Sequence, residues 1–152
     1  MVSLRPVVRE DLDQLFSLTV DHEQQEFVAS NAVTLAEISY LSGGYVFAIW
    51  DNDAIVGLLA MIDFREHDEL FEDDDPDAAF MLRLMIGAEY QRRGIGRAAV
   101  NLAIDWARTR KNSCFQTSFG PGNEVARQLY LSAGLHETGR IVEGEVEMAL
   151  AL

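Results

Sequence analysis

Between Ala78 and Thr109 the chain passes from an apolar run ending at Ile86, through Gln91-Arg92-Arg93-Gly94-Ile95-Gly96-Arg97, into an amphipathic stretch that begins at Ile95. Ile95, Ala98, Ala99, Leu102 and Trp106 recur at helical spacing, so the succession reads strand, glycine turn, helix. Such a unit belongs to folds in which helices cover a sheet. The glycines let a ligand come close to the backbone. The free N–H groups and positive pole of the following helix favour a diphosphate there, and the arginines add charge-assisted contacts. Two familiar phosphate loops do not fit, because there is no Gly-Lys-Ser/Thr and no third glycine of a dinucleotide fingerprint. The same residues also read as a plain helix start with incidental arginines.

The rest of the chain supplies more such elements. Leu4 to Val8 reads as a strand, and the spacing of Leu12, Leu15, Phe16, Leu18 and Thr19 as a helix opening at Asp11. Thr34-Leu35-Ala36-Glu37 has capping-box spacing and predicts a second helix starting there and ending at Gly43-Gly44. Tyr45–Trp50 and Ala54–Phe64 flank Asp51-Asn52-Asp53 and predict a hairpin. Their continuous apolarity implies that both sheet faces are covered. Ser113–Phe119 reads as a further strand, and Asn123 as the N-cap of a helix running to Ala133 with Gly134 beyond its end. Two antiparallel strands, Thr138–Val142 and Glu145–Leu152, close the chain around Glu143-Gly144. With 152 residues, 49% of them apolar, and no linker or repeat, one domain over 1–152 is expected.

Charge separates along the sequence. The net charge is −13, and residues 1–80 carry 18 acids against three arginines, while residues 81–152 carry nine bases against seven acids. The acidic total argues against general nucleic-acid binding. Only 90–112, with Arg92, Arg93, Arg97, Arg108, Arg110 and Lys111 against Asp105, suits a polyanion. Nine acids fall within 63–77, a pattern that ordinarily marks a solvated loop. The longest apolar run, Ala54–Ile62, is too short to span a bilayer, and the first residues lack a secretory pattern, so no membrane association and a cytoplasmic address are expected. Cys114 stands alone, which excludes an internal disulfide and a cysteine-rich zinc site, and it reads as a core residue. No metal is expected.

A second constellation is Asn123-Glu124-Val125-Ala126-Arg127-Gln128-Leu129-Tyr130, followed by Gly134-Leu135. Residues seven apart on a helix share a stripe, so Asn123 and Tyr130 are able to face one ligand. Taken alone, they read more simply as a helix cap and a packed core phenol.

Taken together, Gln91, Gly94 and Gly96, then Asn123, Ala126 and Tyr130, resemble the motifs of the GNAT N-acetyltransferase superfamily over essentially the whole chain. Three further stretches, Gln24–Asn31, the acidic insert and Gly139–Met148, are similar to its bacterial spermine/spermidine acetyltransferase branch. Leu82 before Arg83 departs from the Asp-Arg pair of some members. The resemblance implies an α/β (α+β) GNAT-like domain. Its sheet would be mixed and mostly antiparallel, with six or seven strands, about four helices on its faces, and strands 4 and 5 splayed.

It also implies acetyl-CoA as co-substrate and direct attack of a primary amine, most plausibly a polyamine, on the thioester. By that resemblance backbone at Leu84, Met85 and Ile86 pairs with the pantetheine, and Gln91 to Arg97 hold the diphosphate: Gln91, Arg92, Arg93, Gly94, Ile95, Gly96 and Arg97. Asn123 holds the pantetheine arm, and Tyr130 protonates the departing thiolate. An alkylammonium must lose a proton before attack, and Glu26, Glu66, His67 and Glu69 are the candidates for handling it. His22 and His136 read as surface residues. The acidic loop would raise the local concentration of a polycation. Acceptors left open are a protein N-terminus, a lysine or another small amine, and a non-catalytic acyl-CoA-binding module is the remaining alternative. A homodimer is compatible with the family, although no sequence feature fixes an interface.

Overall fold

Asp51-Asn52-Asp53 turns the chain with Asn52 in the left-handed region (φ 54°), a conformation that asparagine tolerates. It joins β2 (Gly44–Asp51) to β3 (Ala54–Asp63) as the expected hairpin. A computed structural model describes residues 1–152. The remaining strands are β1 (Val2–Pro6), β4 (Ala78–Ile86), β5 (Cys114–Phe119), β6 (His136–Val142) and β7 (Glu145–Ala151). The helices are α1 (Leu12–Ser17), α2 (Asn31–Ile38), α3 (Ile95–Thr109) and α4 (Glu124–Ser132). The seven strands form one sheet in the order β1-β2-β3-β4-β5-β7-β6, antiparallel throughout except for β4 beside β5.

Apart from Ala54, every residue of β3 is buried, as its unbroken apolarity predicts for a strand covered on both faces. On one face α3 lays Ile95, Ala99, Val100, Ala103, Ile104 and Ala107 against Met81, Phe115 and Met148. This buried stripe is wider than the predicted one and shifted, leaving Ala98, Leu102 and Trp106 at its half-buried margin. The other face is covered by α1 and α2 through Leu15 and Ile38.

The start of α2 differs from the capping-box expectation. Ser30 is the N-cap, its hydroxyl accepting from the Val33 amide at 3.2 Å. Thr34 is instead buried one turn into the helix, and Glu37 pairs with Arg83 at 3.0 Å. Both the early serine and the later threonine present capping hydroxyls, and burial of the Thr34 methyl decides between them. The helix also ends at Ile38 rather than at the glycine pair, with Gly44 already in β2.

Candidate active site

The ladder between β4 and β5 is short. It pairs Ala78 with Cys114 through Met81 with Thr117, and there it stops, although β4 runs on to Ile86 beside β3. From Leu82 onward β4 has a strand on one side only, so alternate backbone groups on its other edge have no strand to pair with. The divergence coincides with a bulge: opposite β3, Ala60 pairs with Arg83 and Met61 with Met81, leaving Leu82 unopposed. A bulge increases local twist and bends its strand. The Thr117 hydroxyl donates to the Met81 carbonyl at 2.9 Å and ties the two strands at the last pair. Leu84, Met85 and Ile86 all lie on the free stretch.

The turn after β4 opens onto the same gap. Gln91 donates through Nε2 to the Ile86 carbonyl at 2.9 Å, which folds the turn back onto the strand. Arg92 (φ 64°) and Gly94 (φ 78°) are both left-handed, and Gly94 is the N-cap of α3. A methyl built on Gly94 would meet nothing within 4 Å, so the space above this backbone is open. The Ala98 amide reaches back to the Gly94 carbonyl, which begins the helical ladder and leaves the amides of the preceding turn without intrahelical acceptors. Arg92, Arg93 and Arg97 are exposed, and none is paired with a carboxylate. Arg97 donates to the Ser132 carbonyl at 3.2 Å, and Arg93 lies over the Tyr90 ring at 5.8 Å. Gly96 packs toward Leu129 of α4 and Ile86, with Ile95 buried beside it. The six-residue basic run of 90–112 therefore divides. Arg108 pairs with Asp105, while Arg110 turns to Asp63 and Glu66 at the far end of α3, about 22 Å away for a helix of this length.

From α4, Asn123 is the N-cap, and its Oδ1 accepts from the Ala126 amide at 3.2 Å. The capping role is thus realised, and its Nδ2 stays available as a donor. Tyr130 is buried at 7% exposure. Burial pushes its phenol up to about 12, while the adjacent Thr117 hydroxyl pulls back and the Glu145 carboxylate adds to the rise. A phenol beside Thr117 stands where β4 and β5 part, and it keeps its proton across the physiological range.

Of the four candidates for the amine, only Glu26 is near this gap. The segment His22–Phe27 is a strap across the diverging strands. Gln24 exchanges carboxamide hydrogen bonds with Gln91 at 2.9 and 3.1 Å, and Phe27 packs on Gly120, where a methyl would approach its ring to 3.2 Å. Glu26 is exposed on that strap and, with His22, Glu23 and Gln25, lines a polar depression. Glu66, His67 and Glu69 follow β3 at the opposite end of β4, near Ala79. Glu66 accepts from the Tyr45 hydroxyl and from Arg110. His67 donates Nδ1–H to the Ser42 carbonyl at 2.9 Å, since that oxygen can only accept. Glu69 is exposed.

Part of the acidic run is not a solvated loop. Asp63 is fully buried, bonded to Arg65 at 2.8 Å, Arg110 at 3.0 Å and Asn112 at 3.0 Å. Burial alone would raise its carboxyl, but the hydrogen bonds from Arg65, Asn112 and Arg110 hold it far below the usual range. Asp74 pairs with Arg140, which also holds the buried Glu147. Cys114 is only half-buried, at the margin of the core rather than within it, and its thiol is pushed up chiefly by burial and also by Asp75, which lowers its reactivity. His22 and His136 are exposed.

Sequence reasoning did not single out Thr117, Ser118, Glu145 or the strap role of Gln24 and Phe27. Only pairing between distant strands brings them to the gap.

A family model described as the acetyltransferase (GNAT) family matches residues 8–135. The fold is similar to an aminoglycoside acetyltransferase, AAC(6')-Ib, solved with coenzyme A. The TM-score is 0.83 at 18% identity, with 99% of this chain and 95% of that one covered. It is also similar to a spermidine N-acetyltransferase from Vibrio cholerae solved with CoA and spermine (TM-score 0.74, 19% identity, 99% and 95% covered). A third similar structure is the PaiA N-acetyltransferase from Thermoplasma acidophilum with coenzyme A (TM-score 0.70, 16% identity, 100% and 99% covered). No curated protein matches the chain by sequence.

Proposed function

The chain belongs to the GNAT acetyltransferase family and is an N-acetyltransferase using acetyl-CoA; from that premise we propose that its acceptor is the primary amine of a polyamine such as spermidine or spermine. The observation that carries the reading is the parting of β4 and β5 after Met81 and Thr117, beside a buried, protonated phenol and a turn whose three arginines hold no carboxylate.

The residues present suit the donor. The open edge at Leu84 and Ile86 offers backbone groups to the amides of a pantetheine arm, whereas Met85 between them turns its own toward β3, as the Gly87 amide does to Val56. The turn from Arg92 to Arg97 offers amide hydrogens, a helix N-terminus and guanidinium groups to a diphosphate. Gln91 shapes that turn by clamping Ile86, and Asn123 retains its Nδ2 for the arm. Acetyl-CoA bound there supplies an activated thioester. A backbone N–H of the open β4 edge can stabilise the oxyanion that develops on the acetyl oxygen. Tyr130 holds a proton for the departing sulfur.

The polyamine assignment is supported by what the acidic insert leaves free. Glu69, Glu72 and Asp73 are exposed and have no arginine partner, so their field attracts a polycation and weakens with salt. The direct test is thiol release from acetyl-CoA with spermidine, spermine, putrescine, lysine and a peptide. The reading expects turnover with kcat/KM highest for the polyamines. Binding of acetyl-CoA without thiol release from any amine would overturn the transfer reading, and a preference for lysine or peptide would overturn the polyamine.

A further inference from the structure

Glu145 begins β7 immediately after the Glu143-Gly144 turn and shares a sheet face with Glu147. In the β5–β7 ladder Glu147 stands opposite Ser118, and the Ser118 hydroxyl donates to Glu145 Oε1 at 2.7 Å. Ser118 is the first residue of β5 beyond the last β4–β5 pair. Glu145 is therefore pinned at the mouth of the gap. It lies on the sheet face opposite α3 and α4, whereas Tyr130 approaches from α4. A donor entering past α3 and an acceptor entering past Glu145 would meet between the strands.

The ion pairing sets Glu145 apart. Asp63, Glu66, Asp74 and Glu147 each hold an arginine. Glu145 is half-buried, and its partner is a neutral hydroxyl. One turn of the pleat further in, on the same face of β5, Gln116 is buried and its Oε1 has no donor. Glu147 on this face already holds Arg140, so Glu145 and Gln116 Oε1 are the acceptors there without a cationic donor, which is what an ammonium, with three N–H donors and no acceptor, requires.

We propose that Glu145 receives the acceptor's ammonium at this mouth and takes its proton before the nitrogen attacks, with Gln116 Oε1 as a second acceptor. The proposal rests on the acetyltransfer reading and adds the residue that readies the amine. Two protons leave the nitrogen in all. The first passes from the ammonium to the Glu145 carboxylate and on to solvent. The second passes to solvent as the C–N bond forms and the C–S bond breaks, Tyr130 gives its own proton to sulfur, and solvent returns one to the phenolate. The products are the amide and the free thiol.

The test compares wild type with Glu145→Gln and Glu145→Asp, using spermidine and an arylamine, which is uncharged at neutral pH and needs neither anchoring nor deprotonation. Glu145→Gln should lower kcat/KM for spermidine about 100-fold and leave the arylamine nearly unchanged, and Glu145→Asp should recover part of the loss. Calorimetric titration of spermidine into the CoA-saturated protein should show weaker binding to Glu145→Gln, with acetyl-CoA affinity intact. An equal loss for both amines, or no loss for spermidine, overturns the role of Glu145 while leaving the transfer reading standing. A wild type that binds acetyl-CoA and acetylates neither amine overturns both.

Discussion

The two ends of β4 are built from similar materials and finish in opposite states. At the end near Ala79, arginines meet carboxylates: Asp63 is enclosed by Arg65, Arg110 and Asn112, and Arg110 also covers the Tyr45 and Trp106 rings at 4.6 and 4.8 Å. At the end near Ile86, Arg92, Arg93 and Arg97 meet no carboxylate, a strand edge meets no strand, and the amides of a helix start meet no acceptor within the helix. Satisfied polar groups hold a fold together, whereas convergent unsatisfied ones invite a ligand. On the proposed reading, the first end serves stability and the second serves chemistry.

The strongest way to break that division is Asp63→Ala, which leaves two arginines facing a buried void. Removing one partner of a buried ionic cluster costs about 3–5 kcal/mol, so thermal denaturation should show a Tm lower by roughly 10 °C, with acetyl-CoA affinity preserved in the folded fraction. Stability should also depend on pH with a definite sign. The Asp63 carboxyl is held low in the fold, so its contribution is complete above the ordinary aspartate range near about pH 4 and fades as pH falls toward the depressed value. Asp63→Asn should flatten that acid limb in denaturant titrations.

Next in size is Tyr130→Phe at the chemical end. It should lower kcat about 100-fold by removing the general acid, while calorimetry gives an acetyl-CoA affinity close to wild type and the Tm barely moves. A smaller effect is expected from Gly94→Ala. The methyl meets open space, so the cost is the left-handed conformation, about 1 kcal/mol, and it should appear as a several-fold weaker acetyl-CoA affinity. Smallest is replacement of Glu69, Glu72 and Asp73 by amides. It should raise KM for spermidine by a few fold at low salt and by less at high salt, without changing KM for a monoamine.

Much of this division was legible where the physics is local. The turn from Gln91 to Arg97 carries its own signal, because glycine freedom, a helix start and adjacent arginines act within a few residues. The Asn123 cap and the hairpin at Asn52 are equally local. A linear charge count groups Arg110 with Arg92 because it ignores the length of α3, which carries the two to opposite ends of the sheet. Asp63 looked like one acid among nine, since only its pairing with Ala79 buries it beside Asn112. Glu145 and Ser118 are 27 residues apart, and nothing in either neighbourhood announces their meeting at the gap. Spacing alone offers Thr34 as a cap because the hydroxyl pattern repeats at Ser30, and burial rather than spacing chooses between them.

The central claim is that the diphosphate and thioester arm of acetyl-CoA occupy the Ile86 end of β4 and the first turn of α3. Amide hydrogen exchange with and without acetyl-CoA reads this residue by residue. Slower exchange confined to the free edge of β4 from Leu82 to Ile86 and to the amides of 92–97, with 63–67 unchanged, is the predicted result. Tight binding with no protection at those amides, or protection centred on the Asp63 cluster, would contradict it.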